Sequence, residues 1–243
     1  LGDVAREYKE TCQGSKNGLP IVGLEHLIPA EITLTMWSED QDNTFTKLFQ
    51  KGQVLFGRRR AYLKKAAVAP FDGICSGDIT VIEAFADKLL PELLPFVIQN
   101  DSLFDFAVSQ SAGSLSPRVK WEHLKEYEFN LPDMTEQKKL AELLWAANDA
   151  KEAYKKLLAL TDELVKAQFV EMFENKGYEL KAIRHFVDTN ILKAGKNFAD
   201  DDIIKYIDIS SIDNQRNLVT GYTEFEFNKA PSRAQQCLKF NDI

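Results

Sequence analysis

The sequence predicts an α+β chain: a mainly β domain with flanking helices, a long coiled-coil-like spacer helix, and the start of a second domain resembling the first. Three observations predict it. The stretch Thr135 to Glu174 holds no Pro and no Gly and repeats its apolar residues with a heptad period. The residues before it fall mostly into short β-branched runs separated by polar turns. The residues after it return to that pattern and repeat its opening order.

Taken in order, the first strand-like runs are Leu19 to Leu24, Val54 to Phe56 and Ala66 to Ala69, set apart by turn-rich segments such as Gln13 to Gly18. Ile79 to Ile82 is a further β-branched run. Leu89 to Ser109 carries helical spacing through Leu93, Leu94, Phe96, Val97, Leu103, Phe104 and Phe106. The loop Gln110 to Arg118 follows, then a short helix over Trp121 to Tyr127 and a strand over Glu128 to Leu131 that Pro132 ends. The first domain is placed at 1–134.

Asp133, with Glu136 three residues on, reads as a capping box at the start of the spacer helix, 135–175. Leu140, Ala147, Tyr154, Thr161 and Gln168 fall at one seam position; Leu143, Ala150, Leu157 and Leu164 fall at the other. Leu144, Ala146, Ala153, Leu158, Leu160 and Val165 widen the stripe, so the helix is expected to touch more than one surface. At 1.5 Å per residue it spans roughly 60 Å, longer than an ordinary core helix. Lys176-Gly177 punctuates its far end.

In the second domain, 176–243, Ile204 to Ile209 and Tyr222 to Phe227 alternate around a turn-like Ser210 to Asn217. Leu180 to Ile183 sits where Leu1 to Val4 does, Tyr206 to Ile212 matches Ile21 to Leu27, and Lys239 to Ile243 matches Gln50 to Val54. The second domain is expected to be incomplete within these residues.

With 44% hydrophobic and 28% charged residues, the 243-residue chain has the composition of a soluble globular protein. No run of eighteen apolar residues and no signal-like opening occurs, which predicts a cytoplasmic protein with no membrane partner. Cys12, Cys75 and Cys237 are odd in number, far apart and without metal spacing, so reduced thiols are expected. The net charge of -7 excludes indiscriminate nucleic-acid binding by the whole surface. Any such site must be a local patch.

Catalytic constellations are absent. His26, His123 and His185 lack neighbouring ligands, Ala194-Gly195-Lys196 lacks the rest of a phosphate loop, and no Gly-x-Gly-x-x-Gly or Asn-Pro-Pro-aromatic motif occurs. Pro132, Asp133, Glu136 and Lys138 carry the letters of a metal-dependent nuclease core, but in one turn at a helix start, where capping explains them better. No metal and no cofactor is predicted on this chain.

Charge placement is informative instead. Lys51 to Pro70 contains Lys51, Arg58, Arg59, Arg60, Lys64 and Lys65, with Tyr62 among them and no acid, in a chain that is acidic overall. Arginines offer bidentate contacts to phosphate or to guanine edges. The bland alternative is a solvated strand end facing the acidic spacer helix. Ser114, Ser116, Arg118 and Lys120 form a second candidate, suited to backbone contacts that position a duplex. Lys193, Lys196, Ser232 and Arg233 are weaker analogues in the second domain.

Together, Lys51 to Pro70, Ser111 to Leu124 and Leu131 to Gln137 resemble the specificity subunit of type I DNA restriction-modification systems; the Leu-Pro followed by Glu-Gln before the long helix is the most specific match. Ala230 to Ala234 with Lys239 to Ile243 resembles the corresponding part of a second target-recognition domain. The resemblance implies a non-catalytic subunit in which each recognition domain reads one half of a split double-stranded DNA target. It implies paired spacer helices that dock methyltransferase subunits, with a restriction/translocase subunit in the larger complex. S-adenosylmethionine and ATP are then expected on those partners. Leu140, Leu143, Ala147, Ala150, Tyr154, Leu157 and Leu164 are the expected partner-helix residues, and without a second helix the chain is expected to self-associate through them. The alternatives are a metal-dependent nuclease acting alone through Pro132 to Lys138, a coiled-coil adaptor, and an antagonist that sequesters the methyltransferase.

Overall fold

A computed structural model describes all residues except 15–17, 40–43, 175, 188–191, 215, 235 and 240–243, and the backbone alone of Lys196. The chain divides into two compact units, Leu1–Ala167 and Gln168–Ile243. The strands of the first unit are β1 (Ala5–Glu7), β2 (Ile21–Val22), β3 (Lys47–Phe49), β4 (Val54–Gly57), β5 (Ala66–Val68), β6 (Gly73–Cys75) and β7 (Ile79–Ala84). They form two sheets. One has the order β1-β7-β4-β5 and is antiparallel throughout; the other, β2-β6-β3, pairs β2 parallel and β3 antiparallel to β6.

β4 reads as a continuous apolar run, and the first four residues of β7 as a β-branched one, because both of their faces are covered. Val54, Phe56 and Ile82 point into one core, while Leu55, Val81 and Ile79 point into another shared with Val22, Phe49 and Cys75. The first core is closed by α1 (Leu94–Ile98) and α2 (Asp101–Ser109), with Phe56 stacked on Phe104 at 5.6 Å. Burial pushes the Cys75 thiol up to about 12, so it is inert, and among the described residues no disulfide joins Cys12, Cys75 or Cys237.

Two sequence expectations are corrected here. The helical run over Leu89 to Ser109 is broken: Asn100 is extended at φ -69°, ψ 136°, and its side chain accepts the Ser102 N–H at 2.9 Å to cap α2. Apolar spacing continues across the break because both helices cover the same core. The short helix α3 (Trp121–Leu124) forms, but Glu128 to Leu131 is not a strand. Its alternation reflects Phe129 and Leu131 packing on the helical core without a backbone ladder.

α4 (Met134–Phe173) is the spacer helix. Asp133 Oδ1 accepts the Thr135 and Glu136 N–H groups at 2.8 and 2.9 Å, the N-cap the sequence predicts. One face docks on the first unit. Gln137 and Ala141 are buried, Leu144 and Trp145 are half-buried, and Trp145 donates to the Glu92 carbonyl at 2.9 Å while meeting Phe96 edge-on. Further along the same face, Lys151 donates to the Ala30 carbonyl at 2.7 Å and Lys155 pairs with Glu31. Ala30 presents that carbonyl from a left-handed conformation, φ +63°. The seven partner-helix residues lie on a separate face and are exposed.

The second unit contains β8 (Ile203–Tyr206), β9 (Ile212–Asp213), β10 (Leu218–Val219) and β11 (Thr223–Glu226), paired as two hairpins, β8 with β11 and β9 with β10. The alternation expected through Ile209 stops at Tyr206, because Asp208 caps a 3-10 turn over Ile209–Ser211.

That turn sits where the internal repeat requires one. Gly23 opens the turn Leu24–His26 at φ -97°, ψ 175° and Leu27 leaves it at φ -85°, ψ 110°; Asp208 and Ile212 do the same at φ -105°, ψ 176° and φ -107°, ψ 117°. Ile21 is bridged to Ser38 as Tyr206 is to Thr223. The Leu48 N–H donates to the Glu10 carbonyl at 2.9 Å, and the Cys237 N–H donates to the Leu192 carbonyl at the same distance. The two units thus share backbone geometry as well as residue order. The match of Lys239–Ile243 to Gln50–Val54 falls mostly on 240–243, outside the described residues.

Candidate functional site

The basic stretch is the connection between β4 and β5, and its shape follows from its ends. Gly57 is wedged: a Cβ there would lie 3.1 Å from both the Lys65 carbonyl and Leu24 Cδ2, which only glycine accommodates without displacement. Its N–H donates to the Lys65 carbonyl at 2.8 Å and closes the loop. Between these ends a 3-10 turn, Ala61–Leu63, is bracketed by Arg60 at φ 54° and Lys64 at φ 51°. Two non-glycine residues in the left-handed region cost about 1 kcal/mol or more each. Burial of Ala61 in the helical core offsets part of that cost and leaves Arg60, Tyr62 and Leu63 exposed at the tip.

The second candidate loop is pinched shut by reciprocal backbone bonds between Ala112 and Arg118, at 3.0 and 2.9 Å. Gly113, at φ +113°, makes the turn, and Ser114 and Leu115 project at its tip.

The two stretches nominated separately by sequence meet along one edge. Arg59 forms a β-bridge with Arg118, the Arg60 N–H donates to the Pro117 carbonyl at 2.8 Å, and the Val119 N–H donates to the Arg58 carbonyl at 3.0 Å. Asp78, in the turn before β7, completes the junction. Its Oδ1 accepts Arg118 Nε at 2.7 Å, while Oδ2 receives Arg118 Nη2 at 3.3 Å and Arg59 Nη1 at 3.4 Å. Arg59 Nη2 also donates to Ser116 Oγ at 3.0 Å. The Arg118 hydrogen bond, more than the nearby charges, holds the Asp78 carboxyl below the usual carboxylate range against the opposing pull of burial, and the same bond raises Arg118. Arg58 Nε and Arg59 Nε are buried without an acceptor among the described residues. Left-handed residues and orphaned donors concentrated at one place indicate a fold that keeps a particular loop shape despite its cost.

The sequence reading therefore needs refinement. The basic stretch carries no acid of its own, but the fold brings two to it: Asp78, and Asp101, which accepts Lys64 Nζ at 2.6 Å. Lys65 Nζ is committed to the Leu24 carbonyl at 2.7 Å. Lys51 lies beyond the opposite end of β4, away from the loop. The bland alternative fares no better as drawn, since the acids facing the loop come from the β6–β7 turn and α2 rather than from the spacer helix. Arg60, Tyr62, Ser114 and Lys120 are exposed on this edge, around a clamp in which two guanidiniums share one carboxylate. Sequence reasoning missed Asp78; the only local signal was the Ser76-Gly77-Asp78 turn.

In the second unit, a bridge between Lys193 and Gln236 brings the two analogue segments side by side, and Lys193 and Arg233 are exposed. The Lys196 side chain lies outside what the structure describes. At the spacer helix, Asp133 is occupied as the N-cap, and among the described residues no group of three or more His, Cys, Asp or Glu could hold a metal ion. No helix among the described residues is long and apolar enough to cross a membrane.

Comparison with known proteins adds to this geometry. Residues 10–159 match the family described as type I restriction modification DNA specificity domain. A type I restriction enzyme EcoDI specificity subunit from Escherichia coli is 24% identical over 132 residues, covering 53% of this chain and 29% of that protein. The crystal structure of an HsdS subunit from Thermoanaerobacter tengcongensis matches with a TM-score of 0.54 at 23% identity, over 74% of this chain and 50% of that one. A chain from a structure of the type I R-M system, reported for complex assembly and conformational transition, matches at 0.54 and 21% identity, over 86% and 56%. The chain thus spans less than a third of the curated relative and about half of the solved ones. At these identities the solved structures establish the fold.

Proposed function

The chain belongs to the type I restriction-modification DNA specificity family, and we propose that its first unit reads one half of a bipartite double-stranded DNA target. The observation that carries this reading is the convergence of the two basic loops on one edge, locked by the Arg59–Asp78–Arg118 clamp. The clamp fixes the aim of its guanidiniums. Arg60 and Lys120 supply phosphate contacts beside it, and Ser114, Ser116 and Tyr62 supply polar contacts at the loop tips. Lys64 and Lys65 serve the loop's shape first. Lys193, Lys196, Ser232 and Arg233 take the corresponding place in the second unit.

The first test is a salt titration. Replacing Arg60 and Lys120 together by Ala is expected to weaken binding to a duplex and flatten the slope of log K against log salt by about 2, one for each lost phosphate contact. Fluorescence anisotropy reads both quantities. Unchanged affinity and slope would remove this edge from consideration.

The subunit itself is non-catalytic in this proposal; methyltransferase and restriction/translocase partners bind S-adenosylmethionine and ATP. The exposed seam of α4 is where a partner helix docks. Leu157 and Leu164 are 56% and 57% exposed, and an apolar stripe of this length drives association in water. The isolated chain is expected to self-associate at tens of micromolar, and Leu157→Glu combined with Leu164→Glu to return it to monomer. A monomeric wild type in light scattering would overturn the expectation.

A further inference from the structure

Arg58 stands apart among the cations of the basic loop. Arg59 and Lys64 pair with acids, Lys65 is committed to a carbonyl, and Arg60 is exposed at the tip. Arg58 is half-buried, and among the described residues its side chain meets neither an acid nor a hydrogen-bond acceptor. Its Nε is buried outright, whereas its two terminal nitrogens are not.

The register of the junction explains this. Arg59 and Arg118 lie directly opposite each other in an antiparallel bridge, so both side chains leave the same face, and Asp78 meets them there. Arg58 and Val119 form the next pair, joined by the Val119 N–H donating to the Arg58 carbonyl at 3.0 Å, and their side chains leave the other face. On that face Val119 is fully buried in the helical core, as is Phe56 two residues before Arg58. The Arg58 stem is thus directed along the rim of an apolar core, which offers Nε no acceptor, and the backbone separates it from Asp78. The Arg58 N–H donates to the Asp78 carbonyl at 3.0 Å, so its main chain is held from both sides. The Arg59–Asp78–Arg118 clamp locks this ladder on one face and thereby sets the direction of Arg58 on the other.

A buried donor without an acceptor has given up water with nothing in return, which destabilises the free protein. A cation that only holds phosphate needs no such arrangement: Arg60 and Lys120 serve that purpose exposed. A guanidinium that is fixed in direction, with its terminal donors unspent, suits the reading of a base edge. We propose that Arg58 is a base-reading residue of the first unit, whose terminal nitrogens donate side by side to O6 and N7 of a guanine in the major groove. This rests on the reading of the first unit as a DNA reader. Guanine is the base named because it alone presents two adjacent acceptors in that groove, matching the planar fork.

The test uses the 243-residue chain with Arg58→Met, which keeps the stem and removes fork and charge, and with Arg58→Lys, which keeps the charge and removes the fork. Selection from a randomised duplex pool is expected to give the wild type a guanine preference at one position. Either variant is expected to use all four bases there and to keep the rest of the preference. On the wild-type duplex the variants are expected to bind roughly five- to 150-fold more weakly. A phosphate contact would behave differently: Lys would restore affinity, Met would lower the salt slope by about 1 on every duplex, and neither would alter the preference. That pattern would overturn the assignment. The urea midpoint of the free Arg58→Met chain is expected to equal or exceed that of the wild type, because an unsatisfied buried donor is removed. A lowered midpoint would show the guanidinium to be bonded within the fold and would overturn it too. A wild type without sequence preference overturns the reading of the unit as a DNA reader, whereas a preference that survives both Arg58 variants overturns this inference alone.

Discussion

Gln137→Met is expected to destabilise the first unit by about 2–4 kcal/mol, because it strips the hydrogen bonds from a buried position while nearly conserving volume. Gln137 is 1% exposed and fully used: Oε1 accepts the Leu90 N–H at 2.9 Å, and Nε2 donates to the Lys88 and Pro132 carbonyls at 3.1 and 3.0 Å. One amide thus pins the first turn of α4 both to its own entry segment and to the turn before α1. Methionine would leave the Leu90 N–H buried without a partner, and that loss dominates. Urea unfolding is expected to show a lower midpoint with an unchanged slope, and the Leu90 amide to lose protection from exchange. A change below about 0.5 kcal/mol would show that water or local rearrangement satisfies those groups. Gln137 also gives a physical reason for the Leu-Pro and Glu-Gln letters ahead of the spacer: Pro132 supplies an acceptor, Asp133 caps, and Gln137 docks.

The parts of this fold that could be read from sequence are those governed by short-range patterns. Val54 to Phe56 announces a strand by continuous apolar residues, Ile79 to Ile82 by its β-branched residues, and α4 announces itself by the absence of Pro and Gly. Asp133 is recognisable because a cap acts within three residues. The repeat is weak as residue similarity and plain as geometry, because Gly23 and Asp208 open equivalent turns. What escaped is long-range or contrary to local type. Nothing near Asp78 in sequence points to Arg118, forty positions away. Gln137 looks like a solvated first-turn residue, and Lys151 and Lys155 look like helix surface until Ala30 and Glu31 are placed against them. The charge run over Lys51 to Lys65 spans β4 and the loop after it, but a charge run does not sort its members. Which cations are spent inside the fold depends on acids brought from elsewhere in the chain.

Asp78→Asn separates affinity from discrimination in the proposed DNA contact. The substitution keeps the shape of the side chain and removes the charge that two arginines share. With one less negative charge on the binding edge, affinity for arbitrary duplexes is expected to rise and its salt slope to steepen by about 1. Selectivity is expected to fall, because Arg59 and Arg118 lose the bidentate partner that fixes their direction, and a well-aimed guanidinium contributes about 1–3 kcal/mol of discrimination per base. Selection from a randomised duplex pool should therefore give a sharp preference with the wild type and a flattened one with Asp78→Asn. The pH dependence has a definite sign. The carboxyl is held below its ordinary value, so the clamp is fully formed above the unfolded carboxylate range and is lost as pH falls through the lowered value. Between pH 7 and pH 5 the wild-type preference is thus expected to be constant. The clamp's groups are part-exposed and screened by solvent, so its contribution to global stability is small and the selectivity change cannot be ascribed to unfolding. An unaltered preference in Asp78→Asn would mean that the clamp shapes the loops without aiming them, and base reading would then have to come from the exposed tips at Arg60, Tyr62 and Ser114.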